Sequence, residues 1–200
     1  MKHPQDKQYV RPLQQGKHDR LCGIYSVVNA ILWIDPDSRH LSQRLVDCGL
    51  AFLFAKQRLD RVMLSGMTRK LWLKLAHHIL AERNRLMPSQ LALQSISRAG
   101  GEDGSTNWSH VSDYTDIGLP VLANVQGAYN HFTVITDVTE KRVILFDSDG
   151  LHWLQRRTCV IGGPDACRRF WIEPPGLVTL QPTADMEADS ELERTITLET

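Results

Sequence analysis

The sequence predicts an α+β fold in which a helical half precedes a half built from β-strands. Two observations carry this expectation: residues 22–83 set apolar side chains three and four positions apart, whereas residues 120–146 hold three short β-branched runs parted by turn residues. Helices first and strands second, without alternation, give segregated layers. A chain of 200 residues also suffices for a single apolar core without disulfide or metal staples.

The first helix is expected from Cys22 to Trp33, with Ile24, Val27, Val28 and Ile31 at helical spacing and Asp35-Pro36-Asp37 as its stop. Cys22 then lies in the first turn. A second helix runs from Ser42 to Phe54, with Leu45, Val46, Leu50 and Leu53 inward, and a third from Thr68 to Arg83, with Leu71, Trp72, Leu75, Ile79 and Leu80 on one face. Leu91 to Ile96 reads as a short strand, Gly100 to Ser105 as a loop, and Ser109 to Ile117 as a short helix closed by Gly118. Pro120–Val125, His131–Val138 and Arg142–Phe146 then form an antiparallel meander, and strands around His152–Cys159 and Arg168–Ile172 extend it. Two units follow: a domain over residues 8–182, and an acidic, flexible tail over 183–200 with six carboxylates against Arg194 and no aromatic residue.

Composition narrows the partners. Lys+Arg 23 balances Asp+Glu 23, so no global field draws the chain to nucleic acid or an anionic membrane. No apolar run approaches the ~18 residues of a spanning helix. The polar start, Met1 to Gln8, has no cleaved export signal, so the expected location is the cytoplasm, or a target cell reached by secretion without such a signal.

Four cysteines form no CxxC pair. Cys48, Cys159 and Cys167 read as small buried apolar residues. Cys22 differs, because the positive end of a helix dipole and free backbone N–H groups stabilise a thiolate there. Gly23 beside it leaves room for a substrate backbone, and the Cys22 N–H can meet a developing oxyanion. Among eight histidines, His131 opens a strand directly after Gly127-Ala128-Tyr129-Asn130, where its imidazole can face the helix as a base. Asp147 ends the next strand, 16 residues later, and can accept the other ring N–H. Asp149 competes for that role but fits a Ser-Asp-Gly turn. His77 and His78 read as solvated helix positions and the five tryptophans as core. Cys159, Cys167 and His152 lack a fourth ligand at zinc-finger spacing.

The blocks Leu21-Cys22-Gly23-Ile24-Tyr25-Ser26-Val27-Val28-Asn29-Ala30, Asn130-His131-Phe132-Thr133-Val134-Ile135 and Val143-Ile144-Leu145-Phe146-Asp147 resemble the nucleophile helix, His strand and Asp strand of papain-like cysteine peptidases. They are most similar to the bacteriocin-processing, double-glycine branch. The resemblance spans residues 14 to 150 and implies a papain-like fold, with Cys22 as nucleophile, His131 as general base and acid, and Asp147 as orienting group. Leu21 stands where that branch has an Asp, so the polar contact of that Asp is expected to be absent. Gly16 stands where it has the oxyanion glutamine, so the resemblance points to Gln15, one residue further away, with Gln14 as substitute.

The implied reaction is acyl transfer through a thioester, with no metal or organic cofactor. Peptide hydrolysis, after Gly-Gly in that branch, is the leading expectation. A glutamine deamidase or transglutaminase-like effector would use the same triad, and a non-catalytic papain-like binding module is a third reading. A free-standing peptidase fits a delivered bacterial effector or toxin, acting on a protein or peptide and restrained by a neutralising, immunity-type partner.

Overall fold

Thr68 caps the start of α4 (Arg69–Leu86), the longest helix among the described residues, its hydroxyl accepting Leu71 N. A computed structural model describes residues 10–16, 19–96 and 107–183. The expected loop Gly100–Ser105, the start of the domain at residue 8 and the tail beyond Thr183 lie outside these residues. The architecture is α+β. α1 (Cys22–Ile34), α2 (Ser42–Ala55) and α4 start and end within three residues of the expected bounds. A 3₁₀ segment, Pro36–Leu41, and α3 (Leu59–Ser65) were not expected. α3 buries only Val62, so it has no apolar stripe to read.

The sheet runs in the order β1 (Leu91–Ser95), β8 (Val178–Pro182), β2 (Val121–Gly127), β3 (His131–Val138), β4 (Arg142–Leu145), β5 (Trp153–Gln155). The pairs along this path are antiparallel. The single strand expected around His152–Cys159 is instead two. β5 completes the meander, a 3₁₀ turn at Arg156–Thr158 breaks the run, and β6 (Cys159–Ile161) pairs in parallel with β7 (Phe170–Ile172), which itself flanks β2. α5 (Trp108–Asp116) starts on an Asn107 cap and covers the far face.

Each face of the sheet has its own core. Phe132, Val134 and Val178 pack with α1, α2 and α4, while Val121, Ile135, Val143 and Ile172 pack with Val111 of α5. Trp72 joins the layers: its ring stacks on Phe132 at 4.9 Å and its indole N–H donates to Gly23 O at 3.1 Å. Arg83, wholly buried near the end of α4, donates to the Asp35 carboxylate just past α1 and to the Ser89 carbonyl and hydroxyl. Burial works against ionisation of Asp35, yet hydrogen bonds from Ser38 and Arg83 hold its carboxyl below the ordinary value. Among the described residues no helix is long and apolar enough to cross a membrane.

Candidate active site

Cys22 is the first residue of α1, where backbone N–H groups have no intrahelical acceptor. The approach to it is sharply bent. Arg20 adopts φ 43°, and Asp19 braces both sides of the turn, accepting Gly16 N at 2.7 Å and Leu21 N at 3.1 Å. Leu21 itself is buried and makes its polar contact through its backbone N–H, to the carboxylate two residues earlier. Its signal was available: an Asp between Gly16 and a helix start is a turn former.

Gly23 serves a purpose other than the expected one. A Cβ there would stand 3.0 Å from Trp72 Cδ1 and 3.2 Å from Met67 Sδ, so the missing side chain admits α4 against the first turn of α1, not a substrate. Gly127 makes a similar allowance before His131. Its φ is 100°, a Cβ would meet Arg169 O at 2.5 Å, and the neighbouring Ala128 N donates to that same carbonyl.

His131 is 4% exposed, and its Nε2 lies 2.7 Å from Asp147 Oδ1. Cys22 is close enough to the imidazole to help raise its pKa, and with Nε2 engaged by Asp147 the ring nitrogen left for a further partner is Nδ1. Tyr129 covers the ring at 4.7 Å between centroids and donates to Asp149 Oδ2 at 2.9 Å. Asp149 is thus engaged by Tyr129, and the carboxylate on the imidazole is that of Asp147. The second Asp147 oxygen accepts Asp149 N at 2.8 Å and Leu151 N at 3.3 Å.

A β-bulge sets this pairing. Val138 faces Val143 and Asp137 faces Ile144, but Ile135 faces Leu145, so Thr136 is an extra residue on β3. A straight ladder would place Asp147 opposite Val134, on the other side of the sheet from His131. With the bulge, Phe146 N donates to Val134 O and the register carries Asp147 to Thr133, two residues from His131 on the same side.

Both candidate glutamines lie against the segment after β4. Gln14 donates one of its two amide N–H groups to Asp147 O at 3.1 Å. Gln15 is tied by its backbone N to Ser148 O at 2.9 Å and accepts the Ser148 hydroxyl at Oε1, which leaves its Nε2 as a donor. Of the other cysteines, Cys48 is half-buried and its thiol is pushed up by burial, and Cys159 is buried and pushed up to about 11 by burial. Cys167 is exposed, contrary to the buried position expected of it, because it sits in the loop between β6 and β7. Among the described residues no cluster of three or more His, Cys, Asp or Glu could hold a metal ion.

The electrostatics define a pH window. Burial alone would lower the His131 pKa, but hydrogen bonds and charge from Asp147 and Cys22 raise it from 6.5 to about 9. Burial would raise Asp147, but His131 outweighs it and holds the carboxyl below its ordinary 3.8. The raised histidine contributes its stability in full below 6.5 and loses it as pH rises through about 9. The lowered carboxyl contributes above 3.8 and loses its share as pH falls through its depressed value. The wild type should therefore exceed Asp147→Asn in melting temperature most between 3.8 and 6.5, with the gap closing toward alkaline pH. A gap that ignores pH would rule out the ion pair. Comparison of the chain with protein-family models, curated proteins and solved structures found no match.

Proposed function

We propose that the protein is a cysteine peptidase of papain-like arrangement, acting through Cys22, His131 and Asp147. The observation that carries this reading is the buried His131 imidazole bound to the Asp147 carboxylate at 2.7 Å, with Cys22 at a helix start close enough to act on the same ring. Cys22, as thiolate, attacks a substrate carbonyl, and the C–S bond forms as the carbonyl electrons move to oxygen. The Cys22 N–H and the Gln15 amide meet that oxyanion. His131, cationic at neutral pH, gives its proton to the leaving amine and then takes one from the water that resolves the thioester. Asp147 holds the ring in place throughout. Protein chains with Gly-Gly bonds are the first substrates to try, on the resemblance of the sequence blocks alone.

The test is to incubate the intact protein and its Cys22→Ala variant with a cell lysate and compare new N-termini and released ammonia. New N-termini found only with the wild type support a peptidase. Ammonia without new termini would replace hydrolysis of peptide bonds by glutamine deamidation, and neither signal would leave a binding module.

A further inference from the structure

A groove of about 410 Å³ opens between the end of α2, α3 and the start of α4. Five cations line it, Lys56, Arg58, Arg61, Lys70 and Lys74, with no carboxylate among the lining residues. None of the five takes part in an ion pair among the described residues. Unpaired like charges around one concave wall build a positive potential that selects an anionic occupant. The floor adds apolar surface from Phe52 and Leu71.

The same chain carries a segment with the complementary pattern. Asp185, Glu187, Asp189, Glu191 and Glu193 alternate with Met186, Ala188, Ser190 and Leu192. In an extended backbone every second side chain points the same way, so the five carboxylates would form one row with the less polar residues behind them. We infer that residues 185–193 dock on their own chain, running toward the groove so that Asp189, Glu191 and Glu193 of the carboxylate row meet its cations.

The geometry of attachment allows it. Thr183 N donates to Gln90 O, and Gln90 is folded back to the level of Asn84, whose carbonyl accepts its side chain. Lys74 and Lys70 lie ten and fourteen residues nearer the start of α4 than Asn84, about 15 and 21 Å along the helix axis. An extended chain covers those distances in roughly five to seven residues, which brings Asp189, Glu191 and Glu193 to the groove. The inference does not depend on the chemistry of Cys22.

Zero-length carbodiimide coupling of the intact chain, read by mass spectrometry, should join carboxylates of residues 185–193 to Lys56, Lys70 or Lys74 within one chain. Roughly 1 M salt should remove these links, since the Debye length there is about 3 Å. In Arg61→Glu/Lys70→Glu/Lys74→Glu, a Glu-specific protease should cut after Glu187, Glu191 and Glu193 about tenfold faster than in the wild type, because cleavage follows the undocked population. Links to other lysines only, links only between two copies, or equal cleavage of a folded variant would overturn the inference. If the variant does not fold, the wild-type cross-links decide alone.

Discussion

Replacing Cys22 or His131 with alanine is expected to abolish turnover of any substrate found, and the double variant should be no worse than either single one, because nucleophile and base act as a unit. Asp147→Ala should be milder. Loss of the orienting carboxylate costs roughly 10⁴-fold where a histidine must be held in one neutral tautomer, whereas the His131 imidazolium carries both N–H groups. With burial then unopposed by the carboxylate, the alkaline fall in turnover, expected at about 9 in the wild type, should move to lower pH. Gln15→Ala should cost about 10²-fold by removing one oxyanion donor, and Asp149→Ala should act on stability through Tyr129. Alkylation keeps folding and chemistry apart: limiting iodoacetamide should label Cys22 ahead of the exposed Cys167 in the wild type, and lose that preference in His131→Ala. Equal rates for Asp147→Ala and the wild type, with a severe loss in Asp149→Ala, would transfer the orienting role.

The largest loss of stability is expected at Arg83, far from Cys22 in the chain. Its side chain is wholly buried and that of Asp35 is 18% exposed, so Arg83→Ala would leave a cavity and strip the Asp35 carboxylate of its cation, with the Ser38 hydroxyl still donating to it. Breaking a buried pair on one side costs about 3–5 kcal/mol, a fall in melting temperature of about 6–20 °C for a chain of this size. Arg83→Met with Asp35→Leu should recover part of the loss, since no charge is then stranded. A shift of under roughly 2 °C for Arg83→Ala would mean that the three segments meeting there do not need the guanidinium.

The helices were legible because α2 and α4 each bury one apolar face and α1, buried on nearly all sides, is a long apolar run stopped by Asp35-Pro36, and β3 because a turn with glycine precedes its apolar run. β8 was not. It lies between β1 and β2, its Thr179 and Gln181 are buried alongside Val178 and Leu180, and this removes the polar and apolar alternation that marks a strand. Cys22 and His131 open α1 and β3, starts that the sequence announces, whereas Asp147, expected to end its strand, follows the end of β4 by two residues. Asp19 was overlooked as one acid in a polar run, and Gly23 was misread because the neighbours that need its bare Cα, Trp72 and Met67, are over forty residues away.

The extra residue at Thr136 gives the β3–β4 hairpin one residue of slack, all of it on β3. Removing Thr136 leaves every strand pair in place, with Ile135 still facing Leu145 and Asp137 still facing Ile144. Removing one residue from β4 has no such reserve, because the carboxylate then slides past His131 or turns to the opposite side. Tolerance to length change is therefore lopsided across a hairpin whose two strands look equivalent: a shortened β3 keeps its partner for the imidazole, and a shortened β4 loses it.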